Sequence, residues 1–265
     1  MTTLQTVFEK ARSERRAALV GYLPAGFPSK EGAIAAATAM VEGGCDVIEI
    51  GLPYSDPLMD GPVIQDAVHR ALTNGTRIAD VLRTVEGVAA TGAATLVMTY
   101  WNPVDRYGAE RFARELAAAG GVGTITPDLT PEEAGPWLEA SAAAGLDTVF
   151  LVAPSSTDDR IEKVVRCCTG FVYAASLMGV TGARDTVSAA AEGLVKRTRE
   201  HTDVPVCVGL GVSTGAQAAE VAAYADGVIV GSAFVRPLLD APDEASGIAA
   251  VRRLAEELAA GVRRV

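Results

Sequence analysis

Two carboxylates stand eleven positions apart where the surrounding residues read as buried strand and stiff loop. Glu49 interrupts the apolar run Val47–Ile48–Glu49–Ile50–Gly51. Side chains on a strand alternate between its faces, so Glu49 points away from the side that Ile48 and Ile50 share. The isoleucines suit a helix-covered face, which turns Glu49 inward. A carboxylate there is costly unless it is paired or protonated, and no basic residue is evident on neighbouring strands. The second acid, Asp60, lies in the loop Leu52–Pro62, which carries Pro53, Pro57 and Pro62 with Asp56 and Gly61. Alone, Asp60 reads as a cap for the helix that starts near Val63. With Glu49 nearby it also reads as half of a pair, and two carboxylates in different surroundings can divide acid and base roles.

A second kind of chemistry is written in glycine. Gly179–Val180–Thr181–Gly182, Gly209–Leu210–Gly211–Val212–Ser213 and Gly231–Ser232–Ala233–Phe234 each follow an apolar run, and the last opens a short helix. Glycine lets backbone N–H groups approach an anion, and a helix N-terminus adds favourable potential. Any one of these loops is ordinary turn chemistry; three in succession point to a phosphate.

The elements that must hold these residues follow from alternation. Eight short β-branched runs, Ala17–Leu23, Asp46–Gly51, Thr95–Tyr100, Gly123–Thr126, Asp147–Val152, Gly170–Ala175, Pro205–Gly209 and Asp226–Val230, are separated by Ala-rich helical stretches. The helical stretch over residues 63–90 breaks near Asn74–Gly75, and Pro131–Ala144 reads as one helix. Met1–Arg16 reads as an extra amphipathic helix before the first strand. Alternating strands and helices make parallel βαβ units, and nearly continuous apolar strands are covered on both faces. No linker divides the 265 residues. The expectation is a single (β/α)₈ TIM barrel over residues 1–265, with chemistry at the C-terminal ends of its strands. Glu49, Asp60 and the glycine loops all fall there.

Several chemistries are disfavoured. Lys10, Lys30, Lys163 and Lys196 fall in helical stretches or at a helix start, so no lysine is placed for a Schiff base. The only histidines, His69 and His201, are also helical, which rules out a three-histidine metal site. Cys45, Cys167, Cys168 and Cys207 lack zinc or C-x-x-C spacing and read as reduced core thiols. The net charge of −10, without a basic block, argues against nucleic acid. Neither a signal peptide nor a long apolar span is evident, so a cytoplasmic protein without membrane contact is expected.

The run from Ile48 to Gly61, IEIGLPYSDPLMDG, closely resembles the signature of tryptophan synthase α subunits. The likeness extends to Tyr22–Pro28, Pro127–Asp128–Leu129, Tyr173 with Gly179–Gly182, Val208–Ser213 and Val230–Ala233. Met59, and Leu177–Met178 ahead of Gly179, depart from the usual pattern. The resemblance implies retro-aldol cleavage of indole-3-glycerol phosphate to indole and glyceraldehyde 3-phosphate. It implies Glu49 as acid/base and Asp60 at the indole nitrogen. Tyr22 and Tyr173 would line the pocket, and Thr181, Gly182, Gly211, Gly231 and Ser232 would bind the phosphate end of the substrate. It further implies an α2β2 complex in which Pro53, Tyr54 and Asp56 meet a β subunit. Pyridoxal phosphate would sit on that subunit only, with no cofactor in this chain. The residues alone leave open a non-catalytic subunit on the same scaffold, or another phosphate-binding barrel such as an isomerase.

Overall fold

The computed structural model describes residues 2–175, 184–209 and 211–263. The apolar runs form strands β1 (Ala18–Pro24), β2 (Val47–Gly51), β3 (Ala94–Met98), β4 (Gly123–Ile125), β5 (Asp147–Val149), β6 (Leu151–Val152), β7 (Val172–Ala175), β8 (Val206–Gly209) and β9 (Gly227–Val230). Every pairing is parallel, in the order β5-β4-β3-β2-β1-β9-β8-β7-β6. The two strands at the ends of that order are consecutive in the chain and separated only by Phe150. The sheet therefore closes into the expected eight-stranded barrel, its fifth strand split in two. At the break the Phe150 N–H donates to Cys168 Sγ at 3.4 Å, and the Phe150 carbonyl accepts from the Tyr173 N–H at 3.1 Å.

Two cores result from the alternation of strand side chains. The outer core lies between strands and helices and holds Ile48, Ile50, Val97, Val208 and Val230. The inner one fills the lower barrel with Val20, Val47, Leu96, Ile125, Phe171, Cys207 and Ile229. The N-terminal helix Leu4–Ser13, capped by Thr3, closes this end by burying Leu4, Val7, Phe8 and Ala11 against the inner core. Phe8 meets Phe171 edge-on at 5.9 Å. At the other end of the chain, helix Glu244–Val262 packs on helices Lys30–Glu42 and Gly215–Ala222, and the Ala17 N–H donates to the Val262 carbonyl at 3.3 Å. Arg263 Nη1 donates to the Ala259 carbonyl at 3.2 Å, as a basic residue at a helix C-terminus should.

The stretch over residues 63–90 is two helices, Pro62–Thr73 and Ile78–Ala89, broken at Gly75 with its φ of +75°. Elsewhere helices differ from the sequence expectation. Residues 131–133 form a turn, and the helix begins only at Gly135. A helix over Trp101–Tyr107, between the expected strand ending at Tyr100 and the next helical stretch, was not expected. Proline is tolerated in the first turn, where its missing N–H would have no intrahelical partner. Among the described residues no helix is long and apolar enough to cross a membrane. All four cysteines are buried free thiols.

Candidate active site

Strand β2 turns Val47 into the inner core and Glu49 into the layer above it, as alternation requires. Glu49 is paired in register with Tyr22 on β1 and Leu96 on β3. Its side chain is 1% exposed, and among the described residues its Oε1 has no hydrogen-bond partner. No described cation pairs with it. Burial alone therefore raises its carboxyl to about 8, and the group carries a proton at neutral pH. The ion-paired alternative is not realised.

Two tyrosines flank the acid. Tyr22 is buried, and burial first, then Asp60 and Glu49, pushes its phenol up, so the ring lies within the field of both acids. Tyr173 on β7 is likewise raised by burial, then by Glu49 and Cys207. Each ring leans over the neighbouring strand because the residue there has no side chain. A Cβ on Gly51 would strike Tyr22, and a Cβ on Gly209 would strike Tyr173. The structure thus brings Tyr22, Glu49 and Tyr173 together over the inner core.

Asp60 does not cap the following helix. Gly61 occupies the cap position without a side-chain bond, and Pro62 begins the helix. The Asp60 carboxyl is half-buried and raised by burial, against which the nearby Tyr100 hydroxyl acts. The Tyr100 oxygen also accepts from the backbone N–H of Leu58 at 3.1 Å and of Met59 at 3.0 Å. Met59 points outward, 53% exposed, so its bulk lies outside the pocket. Sequence reasoning passed over Tyr100. A tyrosine ending an apolar strand reads as core, and only the folded loop shows what its hydroxyl does.

Of the anion candidates, Gly231 and Ser232 start the helix Ser232–Asp240, whose N-terminus has no side-chain cap. A Cβ on Gly231 would meet Tyr22 and Ile64 only at 3.7 Å or more, so this N-terminus opens beside the two acids' pocket. Gly211 has φ +72°, a left-handed conformation suited to glycine. Thr181, Gly182 and Met178 lie outside the described residues. Among the described residues no cluster of three His, Cys, Asp or Glu side chains could hold a metal.

The chain resembles known proteins over nearly its whole length. The profile of the tryptophan synthase alpha chain family matches residues 8–263. The chain belongs to the tryptophan synthase α-chain family. It is 62% identical to the tryptophan synthase alpha chain of Thermobifida fusca, covering 99% of this chain and 98% of that one. With the alpha chain of Salinispora arenicola the identity is 64%, over 99% and 98% of the two chains. A tryptophan synthase from M. tuberculosis, solved in an open form, superimposes with a TM-score of 0.91 at 53% identity, covering 99% of this chain and all of that one. The reaction of the α-chain family is the reaction of this chain: carbon–carbon lysis of indole-3-glycerol phosphate in tryptophan biosynthesis.

Proposed function

We propose that Glu49 and Asp60 divide the acidic work of this cleavage, and that the buried, uncharged Glu49 is the observation that carries the reading. Indole is a poor leaving group as a carbanion. Protonated at C3 it becomes an iminium cation that accepts the electron pair of the breaking bond. Glu49 donates that proton and is left as a carboxylate. Asp60, as an anion at the ring nitrogen, stabilises the cation. The Glu49 carboxylate then takes the proton of the glycerol hydroxyl. The carbon–carbon bond breaks, its electrons restore the indole ring, and the hydroxyl carbon becomes the aldehyde of glyceraldehyde 3-phosphate. Protons balance and Glu49 ends as it began. Tyr22 and Tyr173 wall the indole ring. The N–H groups of the helix that begins at Ser232, with Gly231, Gly211, Gly182 and Thr181, hold the phosphate. The barrel acts as one domain, and pyridoxal phosphate belongs to the partner chain alone.

The phosphate assignment can be tested without disturbing the fold, because Gly231 has room for a side chain. Gly231→Val is expected to weaken binding of glycerol phosphate about tenfold or more by covering the helix N-terminus, with thermal stability little changed. Isothermal titration checks it. Unchanged affinity in the stable variant would remove the anion site from this position.

For the partner, the loop after β2 divides into two parts. Pro53 is buried, Tyr54 is half-buried, and Asp56 is exposed with its carboxylate accepting from Ser55 Oγ at 2.6 Å. Leu58 projects 74% exposed beside Met59. A groove of about 650 Å³ adjoins the loop, lined by Pro53, Tyr54, Asn102, Pro103 and Arg106 among others. Exposed apolar residues on a proline-stiffened loop next to a groove are suited to docking at low entropic cost. We therefore assign this face to the β subunit of an α2β2 complex. Leu58→Glu is expected to weaken association with the cognate β subunit by tenfold or more, and to lower activation more than solitary activity. Titration of the β subunit followed by indole release measures both. Undiminished association would place the interface elsewhere.

A further inference from the structure

The end of the barrel opposite the two acids holds a hollow that the cleavage does not use. It lies beside helix Leu4–Ser13 and measures about 230 Å³. A cavity of roughly 150 Å³ is enough for a benzene ring. The apolar wall is Phe8, Ala11, Ala17, Ala222 and Ala225, all buried. Against it stand three guanidiniums, those of Arg12, Arg15 and Arg16, in a chain of net charge −10. Arg16 is the fixed one, its side chain 3% exposed. Its Nε donates to Glu14 at 2.7 Å, and its Nη1 to Asp46 at 2.6 Å and to the Ala17 carbonyl at 3.1 Å. Its Nη2 donates to Asp46 at 2.8 Å. A guanidinium has five N–H groups, so one on Nη2 is left over. Arg12 and Arg15 are exposed, and no described carboxylate pairs with either. The acid that lines the hollow, Asp226, is already engaged by Arg199 at 3.0 Å and the Val206 N–H at 2.9 Å. A turn at the helix end brings the arginines together. The Arg15 N–H donates to the Arg12 carbonyl and the Arg16 N–H to the Ala11 carbonyl, both at 3.1 Å, with Arg15 at a left-handed φ of +53°. Glycine is the usual residue at that position.

We propose that this hollow is a second binding site, for a small carboxylate with a compact apolar body the size of one aromatic ring. The flat two-oxygen edge of a carboxylate matches the fork of a guanidinium, and charge-assisted hydrogen bonds are the strong kind. The body lies on Phe8 and the alanines, where its apolar surface leaves water. Each half of the ligand is required. An inorganic oxyanion leaves the apolar wall uncovered, and a neutral ring leaves the guanidiniums unanswered. The adjoining hollow shows the contrast. It measures about 420 Å³ and shares Phe8 and Arg12, but Glu9, Asp147 and Asp203 also line it and would repel the same ligand. The site is separate from the substrate pocket. Ala17 and Asp226 come immediately before β1 and β9, whereas Glu49 lies near the C-terminal end of β2 and Gly231 follows β9.

The test titrates the full chain with benzoate while an uncleavable indole-alkyl phosphate fills the substrate pocket, and ligand-observed NMR reads the affinity. A dissociation constant on the order of 1 mM is expected, ordinary for a ligand of this size. Benzamide has the ring without the charge, and inorganic phosphate has the charge without the ring. Each should bind at least about tenfold more weakly. Arg12→Gln and Arg15→Gly should each weaken benzoate at least about fivefold, and indole release should stay at the parent rate in both. Glycine suits the left-handed backbone at position 15, so Arg15→Gly should melt no lower than the parent, and its loss of benzoate then reports the guanidinium and not the fold. No saturable binding of benzoate, or binding that either variant keeps in full, would overturn the site and leave the arginines as complements to a helix C-terminus. Benzamide as tight as benzoate would overturn the role of the charge. Phosphate as tight as benzoate would overturn the apolar-bodied ligand.

Discussion

Glu49→Gln should lower kcat for indole release about 10²–10⁴-fold, the usual contribution of a general acid–base group. The same substitution should alter stability in a way that identifies the cause. In the folded chain burial holds the Glu49 carboxyl at about 8, whereas its ordinary value is 4.5. Between those values the folded chain keeps a proton that the unfolded chain has released. The contribution of Glu49 to stability is therefore whole below about 4.5, falls as pH rises through that window and levels off above about 8. Glutamine carries no such slope. The melting temperature of Glu49→Gln relative to the parent should rise across the window, by an amount on the order of a few kcal/mol in stability at the alkaline end. Thermal unfolding at several pH values, beside an indole assay, checks both. A variant with near-parent activity would remove Glu49 from the chemistry, and a pH-independent difference in stability would mean that Glu49 is charged when folded.

Asp60→Asn is expected to cost about 10²–10³ in kcat, comparable with the loss of one preorganised electrostatic partner of a transition-state charge. The amide keeps the size of the side chain and its place beside Tyr100, but cannot balance a cation at the indole nitrogen. Because that charge exists only on the way to bond breaking, kcat and kcat/KM should fall together while affinity for an uncleavable indole-alkyl phosphate stays within a few fold. Steady-state kinetics with a competition assay distinguish the cases. A loss confined to KM would make Asp60 a binding residue only.

The strands were legible because both their faces are covered, leaving apolar runs that only Glu49 breaks near the barrel mouth. Its direction followed from alternation and its protonation from the want of a cation. Asp60 was legible as an acid at the mouth, but its capping alternative could be dismissed only once Gly61 was seen to occupy the cap. What the linear sequence hid are relations between distant loops. The helix Trp101–Tyr107 depends on Asp128, 27 residues away, to accept its first N–H. The hold of Tyr100 on Leu58 and Met59 spans 42 and 41 residues. Neither leaves a local pattern of propensity or period. The splitting of the fifth strand at Phe150 was equally hidden, since its N–H is taken up by the thiol of Cys168 rather than by a strand. In the loop after β2 the outward apolar groups are Leu58 and Met59, beside the groove that Pro53 and Tyr54 line.

The central claim is that Glu49 is a neutral acid at the pH where the enzyme works. The most direct measurement is the carbon NMR titration of the chain labelled at its glutamate carboxyl carbons, with the Glu49 resonance assigned by its loss in Glu49→Gln. The account expects that signal to remain at the protonated position through neutral pH and to titrate with a midpoint of about 8. A Glu49 signal already at the carboxylate position at pH 6 would contradict it, because the group would then have no proton to give to the indole ring.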